Sequence, residues 1–153
     1  MIPAPPAPLA VPAALLAKAV FLPALAMVAL TVVVTVRMFL ERMRQIRGER
    51  IPFREIPSGS QMAARFADTR AADNYRNLFE APVLFYLALV VAALTGHATP
   101  VVLGLAWAYV ALRVVHSWIH CTYNRVKHRF YAFAASNAVL WALWIVLAFQ
   151  LLR

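Results

Sequence analysis

APVLFYLALVVAALTGHATPVVLGLAWAYVAL, residues 81–112, runs without a single Asp, Glu, Lys or Arg, and one short cluster inside it, Thr95-Gly96-His97-Ala98-Thr99-Pro100, carries the residues that end helices. About 20 apolar residues cross the hydrocarbon layer of a bilayer as a helix, so an uncharged stretch of this length, cut once by Gly and Pro, reads as two membrane spans joined by a tight turn. The expected helices run over 74–94 and 100–122.

The same test applied to the flanks gives two more spans. Residues 19–36 (AVFLPALAMVALTVVVTV) carry no formal charge and would rise about 27 Å as a helix, close to the roughly 30 Å apolar layer. A cleaved leader is the competing reading of this stretch, and the lack of a basic segment before it, beyond Lys18, speaks against that. Residues 130–152 form the last uncharged run. The fold class is therefore an all-α membrane protein, a four-transmembrane-helix bundle. A Pro-rich tail over 1–14 precedes one domain over 15–153, with charged connectors at about 41–73 and 123–129.

Composition points the same way. Of the 153 residues 63% are hydrophobic, where a soluble domain carries roughly half, and a chain this small hides only about 60 to 70% of its unfolded surface. The remainder has to face lipid. The net charge of +9 does not imply nucleic acid, because nine of the fifteen Lys and Arg fall between Arg37 and Arg76 and four more between Arg113 and Arg129. The positive-inside tendency puts both charged connectors in the cytoplasm and both termini on the other side, as for a multi-pass membrane protein in contact with membrane lipids. The first connector reads mainly as an anchor beside anionic headgroups, with a partner-docking loop as the lesser reading. Cys121 is the single cysteine, which excludes an internal disulfide and any Cys-x-x-Cys pair.

Ionisable groups at membrane depth cost several kcal/mol unless paired or hydrated, which makes them the candidates for function. Asp73, Asn77 and Glu80 fall at i, i+4 and i+7, one stripe of a helix, with Arg76 beside them. Arg113, His116, His120 and Asn124 form a second stripe, and Arg37 closes the first span. An ion pair between Glu80 and Arg113 is expected inside the bundle. Cations outnumber anions there, with Arg37, Arg76, Arg113, Arg125, Lys127 and Arg129 around Glu80 and Asp73, so the region wants an anionic ligand that guanidinium groups bind in bidentate fashion. Arg125 and Lys127 are expected to snorkel to water instead. His116 and His120 have the i, i+4 spacing of a metal pair, but a third ligand is missing and no metal is expected. Trp118, Tyr123 and Tyr131 suit the membrane boundary, and Tyr123 has the alternative of donating its hydroxyl to a ligand.

Val36-Arg37, Arg76-Asn77-x-x-Glu80, Arg113-x-x-His116, and Arg125 with Arg129, in this order on four helices, resemble the MAPEG family of membrane-associated proteins in eicosanoid and glutathione metabolism. The segment Tyr75 to Tyr86 (YRNLFEAPVLFY) looks like the family's bacterial branch. The resemblance implies a homotrimer whose sites lie between neighbouring subunits and hold glutathione in a bent shape as co-substrate. By carry-over Arg37, Arg76, Asn77, Glu80, Arg113 and His116 line that site, with His120 and Tyr123 as further contacts, and Arg129 matches the arginine that stabilises the thiolate. Three positions depart from the pattern: His120 stands where many members have tyrosine, Phe130 where the prostaglandin E synthase type has serine, and Asp73 where an arginine is found. The expected activity is that of a glutathione-dependent transferase or peroxidase-like enzyme acting on a lipophilic small molecule. The alternatives are a binding protein without chemistry and an accessory subunit bound to other membrane subunits.

Overall fold

A computed structural model of the chain describes residues 13–49 and 66–153. Most of the N-terminal tail and the middle of the first connector, with the anchor and docking readings that rest on it, lie outside the described residues. Six helices follow in order: α1 (Ala13–Ala19), α2 (Phe21–Glu49), α3 (Arg70–Asn77), α4 (Ala81–Leu94), α5 (Pro100–Cys121) and α6 (Val126–Leu151). Together they make four membrane-length spans, Leu15–Gly48, Arg70–Leu94, Pro100–Cys121 and Val126–Leu151. No strand occurs among the described residues. The protein is an all-α, multi-pass integral membrane protein.

Proline sets the interruptions. Pro23 cannot donate to the carbonyl one turn back, and the first span breaks at Val20 between α1 and α2. Pro82 occupies the first turn of α4, where its ring would meet the carbonyl of Leu78 in a continuous helix. The second span accordingly divides at Leu78–Glu80, and Glu80, at φ −93° and ψ −95°, becomes the residue that precedes α4. The turn between α4 and α5 uses Gly96 at φ 74°, with His97 N–H donating to the Ala92 carbonyl at 2.9 Å. Thr99 then caps α5 by accepting from Val102 N–H, with Pro100 in the first turn. The last span begins at Val126, four residues before the uncharged run, so Lys127 and Arg129 stand in the first turn of α6 and the second connector shortens to the residues around Asn124.

Inside a bilayer lipid is as apolar as a protein core, so close packing and polar contacts hold the helices together. α5 and α6 form the most extensive pair. Phe85 stacks on Tyr109 with ring centroids 4.5 Å apart, and Leu89, Val102, Leu140, Leu143 and Leu147 are fully buried around them. Ala88, Ala92, Ala106, Ala132 and Ser136 are the small residues that let the helices approach. Val28, Val32, Val33, Leu87, Val115 and Ile145 point outward, as lipid-facing side chains should.

Candidate functional site at the cation-rich end

Two polar networks occupy the end of the bundle where α2 finishes, α3 begins and the α5–α6 turn lies. The first closes the C-terminus of α5, whose last carbonyls have no partner inside the helix. Arg37 from α2 donates through Nη2 to the Cys121 carbonyl at 2.5 Å, and Arg70 from α3 donates through Nη1 to the Thr122 carbonyl. Both cations lie at the negative end of the α5 dipole. Arg70 is itself held by Asp68, with Nε and Nη2 at 2.8 and 2.6 Å from the two carboxylate oxygens, and the guanidinium keeps that carboxyl well below the usual carboxylate range. Gln45 from α2 fastens the backbone of Asp68 in both directions, at 3.0 and 3.1 Å. Deeper in the bundle Asn74 of α3 donates to Cys121 Sγ at 3.4 Å and accepts from Ser117 Oγ at 3.3 Å. The atoms of this network are matched to one another.

The second network lines a cavity of about 370 Å³ between α3, α5 and α6, walled by Asp73, Asn77, His116, His120, Val126, Arg129, Phe130 and Phe133. That volume is at the lower end of the roughly 300 to 1,000 Å³ common for small-molecule sites. Arg129 Nη1 donates to Asn124 Oδ1 at 2.8 Å and lies 3.2 Å from His120 Nε2. A guanidinium only donates, so His120 accepts through Nε2 and carries its proton on Nδ1. His116 Nδ1 lies 3.2 Å from the Arg129 carbonyl, a pure acceptor, so His116 carries its proton on Nδ1 and leaves a lone pair on Nε2. The two imidazoles meet edge to face at 5.5 Å.

Arg113 stands just behind this wall and is fully buried. Its Nη2 donates to the Asn77 carbonyl at 2.7 Å and its guanidinium carbon lies 6.0 Å from the centre of the Phe133 ring. The expected ion pair with Glu80 is not formed. Pro82 breaks the helix at 78–80, which takes Glu80 off the stripe shared by Asp73 and Asn77 and leaves it exposed. Asn77 supplies a backbone acceptor in its place.

Four buried atoms of this second network have no partner among the described residues: Arg113 Nε and Nη1, His116 Nε2 and His120 Nδ1. An unmatched buried polar atom costs about 1 to 3 kcal/mol, and more when charged. Four such atoms clustered beside one cavity, two of them on a guanidinium, make it the candidate site for an added partner.

Of the residues singled out from the sequence, Asn77, Arg113, His116, His120 and Arg129 are thus brought together. Arg37 is engaged with the Cys121 carbonyl. Arg76 is exposed beside a separate cavity of about 330 Å³ between α2 and α3. Tyr123 is exposed, its hydroxyl 3.2 Å from His128 Nδ1. Asn74, Ser117 and the clamping role of Asn124 gave no signal in the sequence beyond being small polar residues at a helix end. Among the described residues no group of three or more His, Cys, Asp and Glu is arranged to hold a metal ion.

The family model for the MAPEG family matches residues 20–149. The chain belongs to the MAPEG family. The match begins inside the first span, ends inside the last, and includes every residue of both networks. No curated protein and no solved structure matches the chain. This MAPEG protein is therefore a membrane protein of the family associated with glutathione and eicosanoid metabolism.

Proposed function

We propose that this MAPEG protein is a glutathione-dependent transferase or peroxidase-like enzyme that acts on lipophilic electrophiles delivered from the bilayer. The observation that carries this reading is the unmatched cationic cavity: Arg113 and Arg129 have no carboxylate partner among the described residues, and four buried polar atoms face or back the cavity without a mate. Glutathione, with two carboxylates, an ammonium and a thiol, offers both charge and hydrogen-bond partners to such a site. Asp73, exposed in part, is the carboxylate among the described residues that line the cavity, and it suits the ammonium. Phe130 and Phe133 provide an apolar wall against which a lipophilic co-substrate would lie.

The chemistry follows from Arg129. A thiol with a pKa near 8.5 is mostly protonated at neutral pH, and a guanidinium beside the sulfur favours the thiolate, each pKa unit being worth about 1.36 kcal/mol. The proton leaves to water, the sulfur attacks the electrophilic carbon, and the leaving group departs with its electron pair. With a peroxide, the sulfur attacks one oxygen as the O–O bond breaks, the alkoxide takes a proton, and the resulting glutathione sulfenic acid is reduced by a second glutathione thiol to the disulfide and water.

Arg76 and Glu80 are exposed on the segment between α3 and α4, outside the single-chain cavity. We place them at a boundary with a second copy, which a homotrimer would bring against the cavity with the sites facing the cytoplasm. The test is turnover of glutathione with a chlorodinitrobenzene electrophile by the purified protein. Arg129→Ala abolishes turnover if the protein is an enzyme and lowers only affinity if it is a binding protein without chemistry.

A further inference from the structure

Arg70 and Arg129 are both fixed guanidinium groups, but what fixes them differs. Arg70 is held by the charged oxygens of Asp68 at 2.6 and 2.8 Å, whereas the two acceptors on Arg129 Nη1, His120 Nε2 and Asn124 Oδ1, are neutral. A carboxylate clamp fixes position and cancels charge. A neutral clamp fixes position and leaves the full positive charge for something else. Resting on the transferase reading above, we propose that His120 and Asn124 are positioning residues for Arg129, together anchoring Nη1 so that the remaining edge of the guanidinium, Nε and Nη2, faces the sulfur of bound glutathione.

The backbone is arranged for this. Asn124 sits at φ 48°, in the left-handed region that few residues other than glycine adopt, and its N–H closes the end of α5 on the Ile119 carbonyl at 2.9 Å. Glycine would serve that turn equally well. Asparagine also tolerates it and adds the amide oxygen that reaches Arg129 five residues later. His120 reaches the same nitrogen from the last turn of α5, so one acceptor comes from the helix and the other from the turn that follows it.

The clamp also makes the site sensitive to acid. The charged and titratable groups that face His120 are Arg129 and His116, with Asp73 and Arg113 further off. A proton on His120 Nε2 removes an acceptor and sets a second cation against Arg129, so the thiolate-stabilising geometry is lost as pH falls.

The test compares the ultraviolet thiolate band of bound glutathione and kcat across pH in four backgrounds. Asn124→Gly keeps the turn and removes the acceptor, and is expected to lower kcat about 10-fold with KM changed less than about 2-fold, since small misplacements of a positioned group cost up to about 100-fold; His120→Phe removes the other acceptor and lowers kcat by a similar factor, with KM raised as well because His120 also lines the cavity. His120→Gln retains an acceptor that does not titrate, so it restores the thiolate band and removes the acid limb of the kcat profile. In an Arg129→Ala background neither substitution has a further effect, because both act through Arg129. A thiolate band and kcat unchanged in Asn124→Gly and His120→Phe, or losses that persist without Arg129, overturn the clamp and leave the transferase reading standing. A wild-type protein that binds no glutathione and forms no thiolate overturns both.

Discussion

The two polar networks at the cation-rich end are built from the same residue types and differ in how completely they are matched. Around the end of α5, Arg37 and Arg70 meet backbone carbonyls, Arg70 meets Asp68, and Gln45 meets the Asp68 backbone on both sides. Within about two turns along the same helix, Arg113 keeps two donors unmatched, and His116 and His120 keep one nitrogen each. A complete network repays its own desolvation and can be pure scaffold, whereas an incomplete one at this depth costs several kcal/mol that only an added partner recovers. Degree of matching, more than the number of cations, marks the ligand site.

That contrast is most directly broken at Arg129. Arg129→Ala is expected to lower kcat with glutathione by about 100- to 1,000-fold, the usual loss when a preorganised charge-stabilising donor is removed, with little change in melting temperature. Arg113→Met comes next: glutathione affinity falls roughly 10-fold or more, at about 1.5 to 3 kcal/mol for a hydrogen bond to a charged group, while stability holds or rises because an unmatched buried charge has gone. A stability loss with unchanged affinity would assign Arg113 to the scaffold. Asn74→Ala should do the opposite of Arg113→Met, costing about 1 to 3 kcal/mol of unfolding free energy by orphaning Ser117 and Cys121 and leaving glutathione titrations as in the wild type. The smallest effect belongs to Asp68. Its carboxyl is depressed by Arg70, so its contribution to stability is complete above the ordinary carboxylate pKa of about 3.9 and fades as pH falls below it. Both side chains are partly exposed, so the contribution stays within about 1 kcal/mol, and an acid-unfolding series on Asp68→Asn should show the slope flattened only below that pH.

Much of the scaffold was legible before any coordinates. Uncharged runs gave four spans, and Gly96 with Pro100 gave the α4–α5 turn to within a residue. Pro82 carried a second signal, a break at 78–80, that a simple helical stripe through Asp73, Asn77 and Glu80 ignores; the expected ion pair with Arg113 fails for that reason. The start of α6 was placed late because its first turn holds Lys127 and Arg129, and charge-free length cannot register a charged turn that belongs to a helix. Arg113 and His116 stand out as ionisable groups at depth, and Arg129 through the family resemblance. Asn124 falls on the same stripe as Arg113, but its hold on Arg129, like the roles of Asn74 and Ser117, is not legible, since an uncharged side chain declares its role only through what it touches, and the left-handed backbone at Asn124 has no signature beyond the residue type.

The central claim is that the incompletely matched network is a glutathione site, and calorimetric titration of the purified protein with glutathione tests it most directly. Saturable heat is expected, with a rise in melting temperature under ligand, near 2.7 kcal/mol of stabilisation at about 100 times Kd, and loss of both in Arg113→Met with the fold intact. Absence of saturable heat and of any thermal shift in the wild-type protein, or full binding by Arg113→Met, would contradict it.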